Sequence, residues 1–422
     1  MERLTPLSAA FLQAEDEDPT TTMAIASAAV FEGPAPTQQE FVAHISGRLP
    51  LVPRFRQKVR TVPFDLGAPV WVDDPATDVH WHVRRTALPA PGGEAELYRL
   101  VGRVMTARMD RTRPLWEYWV VEGLAGGRWA VLQKVHHCLV DGVSGTALYD
   151  VVFDTSAEPR AAVPDEWRPQ PEPSSLSLTA SAARDLALVP VNLTRDVAAL
   201  LRSPRALARR ARATATGSLA LSGAALPVTS TSLRGRMGRQ RRYTATTASL
   251  TAVRQVRTAF GASVNDVALA AISGGFRDLL LSRGEEPHRH AVRTLVPVSA
   301  RLPGEESIPD NRVSLMLPYL PVDLADPVRR LAEVGVRIDE AAAAHEPEAG
   351  ASLTSFAEHN PFLPVAVAVR LAFHIPQRQL VTVTTNVPGP RQTVYALGRR
   401  CSRIVPYVPI ADRVRIGVAV FS

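Results

Sequence analysis

Two cysteines in 422 residues cannot build a disulfide framework, and a reducing, cytoplasmic setting is expected. Long apolar runs are also missing. Met1 to Pro19 holds one early arginine, a short apolar stretch and then the acidic run Glu15 to Asp18, which is not the pattern of a secretory leader. The most apolar late segment, Pro361 to Pro376, is too short to span a bilayer and contains Arg370 and His374. Any contact with lipid is therefore expected from the surface. No phosphate-binding loop or dinucleotide fingerprint occurs: the Gly126-Gly127 pair runs into Arg128, and no Gly-Lys-Ser/Thr is present. Gly142-Val143-Ser144-Gly145 does not make the strained serine elbow of a hydrolase. No internal repeat is found.

What is present suits a packed globular body. Hydrophobic residues make up 46% and charged residues 21%, and 422 residues exceed what one core usually supports, so two domains are expected. The net charge of +7 is unevenly placed. Arg195 to Arg242 holds eleven arginines against one acidic residue, Asp196, so this strip carries +10 and the rest of the chain about −3. Leu193, Val197, Leu200 and Leu201 fall on one helical face before Pro204, and an arginine-rich piece, Arg205 to Ala213, follows. A basic amphipathic helix suits an anionic membrane surface; a linker helix packed on the body fits the same pattern, and both readings stand. Nucleic acid is set aside because no aromatic residue is interleaved with these arginines.

The most informative stretch is His136-His137-Cys138-Leu139-Val140-Asp141-Gly142. The preceding run, Arg128 to Val135, is β-rich and mostly apolar, which predicts a buried strand. Successive strand side chains point to opposite faces, so one histidine should meet a cavity while the other packs or hydrogen-bonds behind it. A histidine base needs a fixed tautomer and hydrogen-bond reach to the proton it takes. Asp141 can hold the turn or the second ring, and Gly142 relaxes the backbone where strand gives way to helix. Adjacent histidines do not have the helical i, i+4 spacing of a zinc pair, so no metal is expected. Nothing around Cys138 indicates an activated thiolate.

Three segments follow from composition. Residues 1–155 form an N-terminal domain carrying the histidines. Residues 156–240 are a linker, with Pro159, Pro164, Pro169, Pro171 and Pro173 followed by the basic helical strip. Residues 241–422 return to alternating strands and helices. Ser263-Val264-Asn265-Asp266 opens a long apolar helix reaching about Leu281, with an Asn or Asp suited to its N-cap. Gln379 to Asn386 and Val414 to Phe421 read as strands. Mixed strands and helices in two halves predict an α/β (α+β) fold.

The HHxxxDG run resembles the active-site motif of the bacterial wax ester synthase/acyl-CoA:diacylglycerol acyltransferase family, within the chloramphenicol-acetyltransferase-like superfamily and its HxxxD core. Other stretches resemble the same family in the same order: Leu4 to Leu12, Val30 to Pro36, Arg113 to Glu117, Ser263 to Ala270, Val296 to Arg301, Asn311 to Pro321 and Asn386 to Pro390. Ser8 stands where family members often carry aspartate, Asp310 where glycine precedes Asn311, and Ser232 to Tyr243 replaces a leucine-asparagine-glycine-proline run. None of these departures is expected to touch the histidines.

The resemblance implies two similar domains of mixed sheets flanked by helices, with a substrate tunnel at their interface. It implies transfer of a long-chain acyl group from acyl-CoA to diacylglycerol, and also to fatty alcohols, with no acyl-enzyme and no cofactor beyond acyl-CoA as substrate. His137, with three residues between it and Asp141, takes the role of general base; His136 supports it, and Asp141 and Gly142 shape the turn. Asn265 and Asp266 resemble the family's ND motif, with helix capping as the plain alternative for Asn265. Asn386 is a turn residue or a lining group. Pro114, Leu115 and Trp116 resemble packing that shapes the acyl channel. The inner face of the plasma membrane or a lipid droplet is the expected location. Acyl transfer to another alcohol or amine acceptor, and a non-catalytic lipid-binding role, are the competing readings.

Overall fold

The computed structural model describes residues 2–140, 145–201, 231–299, 313–343, 362, 366–367, 370, 379–411 and 413–422. The first half runs β1 (Glu2–Arg3), α1 (Pro6–Glu17), β2 (Ala24–Phe31), α2 (Gln38–Ser46), β3 (Gln57–Arg60), β4 (Val70–Asp73), α3 (Val79–His82) and β5 (Val83–Ala87). It continues with α4 (Glu94–Thr106), β6 (Trp116–Leu124), β7 (Arg128–His136), α5 (His137–Val140) and α6 (Gly145–Val152). After α7 (Ser175–Leu201) come α8 (Leu250–Phe260), α9 (Val264–Ser282), β8 (Thr294–Ser299), β9 (Val313–Met316) and α10 (Pro327–Ala343). The chain closes with β10 (Thr382–Val387), β11 (Tyr395–Ala396), β12 (Arg399–Tyr407) and β13 (Ile416–Phe421).

Two mixed sheets organise the molecule. The larger has the order β11-β12-β2-β7-β6-β5 and the smaller β13-β10-β8-β9, with a three-stranded β1-β4-β3 sheet beside them. β11 and β12 belong by sequence to the last third of the chain, yet β12 pairs antiparallel with β2 from the first third. Each large sheet has its own buried cluster, one spanning Leu4 to Phe153 together with Ala396 and Val405, the other centred on Leu269, Phe276, Val292, Val296 and Val334. The α/β architecture expected from the sequence is therefore present.

Local chemistry explains the elements that carry the site. α1 starts where Thr5 caps the Ser8 amide (3.2 Å) and Pro6 takes a first-turn position that needs no N–H. β7 lies between β2 and β6, which pair both its edges, and it is buried from Trp129 to His136, so both its faces are covered and its mostly apolar run does not alternate strictly with polar residues. Its one buried cation, Lys134, donates to the carbonyls of Val104 (3.0 Å) and Ala107 (2.6 Å), satisfying the C-terminal end of α4.

Candidate active site

β7 ends at the histidines. The His136 amide donates to Leu115 O (3.0 Å), and its side chain is 2% exposed. The Cys138 amide lies 3.2 Å from His136 Nδ1, and the Cys138 thiol 2.9 Å from the same nitrogen. An amide N–H can only donate, so Nδ1 is the acceptor and the ring proton is assigned to Nε2. Nε2 faces Glu15 Oε1 at 3.3 Å, within ion-pair distance but too poorly aligned for a directed hydrogen bond.

Glu15 is itself buried, and its carboxylate is fully engaged. Oε1 accepts the Met23 amide at 2.7 Å, and Oε2 accepts from Arg111 at 3.1 Å. Burial opposes ionisation here, but His136, the Met23 amide and Arg111 together outweigh it and hold the carboxyl at about 2. The group is a carboxylate at neutral pH.

His137 starts α5 and points elsewhere. Its amide donates to Met23 O (2.9 Å), and its half-buried ring lies 4.2 Å from the Phe11 ring at 39°. One histidine is thus enclosed and the other reaches the partly open side. Asp141 and Gly142 lie outside the described residues. Cys138 is fully buried against His136.

α1 is the element that cradles this corner, and the sequence reading missed it. Ser8, Phe11 and Glu15 recur at helical spacing along one face, and they meet Cys138 O (3.4 Å), the His137 ring and His136 Nε2 respectively. The Ser8 departure lies beside the motif: its hydroxyl reaches the carbonyl of Cys138, the residue immediately after the two histidines. Glu15 had been read only as part of an acidic run. The available signal was its place one helical turn after Phe11 on the stripe that starts at Ser8. Arg108 fastens the end of α1, donating to Thr21 O at 3.0 Å and to the carbonyls of Glu15 and Asp18.

The remaining candidates fall into place around this corner. Pro114 is buried, and Leu115 and Trp116 are fully buried. Trp116 stacks between Phe55 (4.8 Å) and His82 (4.2 Å) and donates Nε1–H to Phe55 O (2.8 Å). In α9 the N-cap is Ser263, not Asn265. Ser263 Oγ accepts the Asp266 amide (3.0 Å) and Asp266 Oδ2 accepts the Ser263 amide (2.8 Å), a reciprocal capping box. Asn265 is half-buried and makes no capping bond. Asn386 lies in β10 opposite Val420, with a buried Oδ1 that has no hydrogen-bond partner. The next pair in that ladder, Val387 and Phe421, carries the Phe421 ring to within 6.4 Å of Tyr149 on α6. The NVPGP strand end and the helix after the histidine motif are thus neighbours. Of the basic strip, Arg205, Arg209, Arg210 and Arg212 lie outside the described residues.

Comparison with known proteins places this arrangement. Residues 4–268 match the wax ester synthase/diacylglycerol acyltransferase catalytic domain, and residues 310–422 match the WS/DGAT C-terminal domain. A probable diacylglycerol O-acyltransferase of Mycobacterium tuberculosis is 43% identical over 422 residues, covering 100% of this chain and 89% of that protein. The fold is similar to a wax ester synthase/diacylglycerol acyltransferase of Marinobacter aquaeolei VT8, with TM-score 0.66 at 24% identity over 100% of this chain and 90% of that one. It is similar also to the first condensation domain of the calcium-dependent antibiotic synthetase, with TM-score 0.56 at 16% identity, 99% of this chain and 87% of that one. With both family domains matched and a relative 43% identical over the whole of this chain, the chain belongs to the wax ester synthase/diacylglycerol acyltransferase family.

Proposed function

We propose that this protein transfers a long-chain acyl group from acyl-CoA to the free hydroxyl of diacylglycerol, with fatty alcohols as further acceptors. His137 takes the hydroxyl proton as that oxygen attacks the thioester carbonyl. The C–S bond then breaks, and the imidazolium returns the proton to the departing CoA thiolate. Negative charge on the tetrahedral oxygen requires preorganised donors nearby. Asp141 and Gly142 shape the turn after the base, and Asn265 and Asn386 line the opposing wall. The observation that carries this reading is a half-exposed histidine fixed by a backbone bond and an aromatic neighbour, backed by a second, fully enclosed histidine.

The test is free CoA release from palmitoyl-CoA with dioleoylglycerol or hexadecanol as acceptor. His137→Ala should lower acceptor-dependent release by about 10²–10⁴-fold, the usual contribution of a general base. Equal release by the folded variant would exclude His137 as the base. Release by neither protein with either acceptor would favour a different acceptor or a lipid-binding role without catalysis.

The same reading places the protein on an anionic lipid surface through the strip from Arg195 to Arg242. Among the described residues no helix is long and apolar enough to cross a membrane. Support comes from α7, whose residues 183–188 are all exposed, Leu186 and Leu188 among them. Liposome binding should depend on anionic lipid and fall sharply when Arg205, Arg209, Arg210 and Arg212 are all changed to glutamine, because each basic residue near such a surface contributes about 1 kcal/mol. Equal co-sedimentation of the quadruple variant would show that the strip packs on the body.

A further inference from the structure

We infer that Glu15 is the positioning residue of the histidine pair, acting through one carboxylate oxygen on the His136 ring and, by way of Met23, on the backbone of His137; this rests on His137 being the base. The Oε1 atom accepts the Met23 amide at 2.7 Å and faces His136 Nε2 at 3.3 Å. Met23 in turn offers its carbonyl to the His137 amide at 2.9 Å. The Met23 residue therefore links the carboxylate to the first residue of α5. Displacement of Oε1 would move the start of α5, which carries the base, and would free the ring behind it.

The rest of the surroundings make this oxygen hard to replace. Glu15 and His136 are both about 2% exposed, so no solvent is at hand to substitute for either partner. Arg111 occupies the second oxygen at 3.1 Å and also holds Leu12 O at 2.9 Å and Asp16 at 2.7 Å. The carboxylate is thus locked from behind while its front oxygen serves the histidines. Phe11, on the same helix, meets the His137 ring. A shift of α1 would move the aromatic contact and the carboxylate together.

Two variants separate reach from charge. Glu15→Asp keeps the charge but withdraws the oxygen by one methylene. Glu15→Gln removes the charge but keeps an acceptor oxygen in the same place. Positioning predicts that Glu15→Asp loses about 10²-fold in kcat, the scale of a misplacement near 1 Å, with KM changed by less than about threefold. Glu15→Gln should cost at most about tenfold. Histidine-selective ¹⁵N labelling gives a readout independent of turnover: the Cys138 amide keeps the ring proton on Nε2 in every variant, so the His136 Nε2–H should exchange slowly with water in the wild type and in Glu15→Gln, and fast in Glu15→Asp, where the oxygen facing it is withdrawn. The inference is overturned if folded Glu15→Asp turns over like the wild type, or if Glu15→Gln is the more damaged of the two. Should Glu15→Asp not fold, fast exchange of the His136 Nε2–H in Glu15→Gln alone overturns it. His137→Ala, run alongside, keeps the two claims apart: full activity in that variant removes the general-base reading, whereas its inactivity beside an active Glu15→Asp removes only the role of Glu15.

Discussion

His44 and His82 are buried like His136, but their surroundings give them a different task. His82 is 0% exposed, donates from Nδ1 to Trp116 O (2.8 Å) and leaves Nε2 without a hydrogen-bond partner. His44 sits 2.9 Å from Val152 O and beside the Arg48 guanidinium, which itself pairs with Asp154. Burial pushes both imidazoles down to about 4, and the Arg48 charge adds to the effect at His44. The unfolded chain therefore binds protons at these sites before the folded one does. Stability is full above the ordinary histidine value near 6.5 and is lost as pH falls toward 4, by up to about 3 kcal/mol for each residue. Glu15 acts in a lower window. Its folded value of about 2 lies below the ordinary 4.5, so its contribution holds above 4.5 and is lost between there and 2. Urea denaturation between pH 6.5 and 4.5 should show a falling midpoint that flattens in the His44→Gln, His82→Gln double variant. A slope that survives in that variant would assign the acid sensitivity to other groups.

At the scale of elements, local pattern carried the reading a fixed distance. The strand from Arg128 was visible because β7 is covered on both faces and so shows as a β-rich, mostly apolar run; it ends at His136, one residue past the expected Val135. The helix from Ser263 was visible from its cap and apolar length and ends at Ser282. Its cap was misassigned because serine, asparagine and aspartate all satisfy a free amide; the reciprocal pair of Ser263 with Asp266 three residues on decides between them. What pattern does not encode is which strands become neighbours. β12 was not read from the sequence as a strand, and nothing in its own residues announces a ladder with β2, which begins some 370 residues earlier in the chain. The site shows the same limit. The histidines advertise themselves by chemistry, whereas Glu15, Phe11 and Met23 matter only because α1 folds against α5.

At the scale of the whole molecule, the stretch Ser232 to Tyr243 connects the two cores. At one end the Ser232 amide donates to Glu285 (2.9 Å), and Leu233 is 1% exposed inside the second core. At the other end Arg241 N–H donates to Thr106 Oγ1 (3.2 Å), and the Tyr243 hydroxyl donates to Pro406 O (2.7 Å). Arg241 also reaches Thr20 O, in the short segment that leads from α1 to Met23. The close approach is made possible by Gly102 on α4: a Cβ there would stand 2.5 Å from the Arg241 carbonyl oxygen. Backbone cannot yield as a flexible side chain does, so Gly102→Ala should cost about 1–3 kcal/mol by overpacking. Leu233→Ala at the far end should cost about 2–5 kcal/mol by leaving a cavity. Distant substitutions in independent cores add, to within about 0.5 kcal/mol. If this stretch fastens one half to the other, releasing either end relaxes the same strap, and the double variant should lose less stability than the two singles combined. A denaturation cycle over the four proteins decides: strict additivity would mean that the two cores are stabilised separately and that the stretch only spans the gap between them.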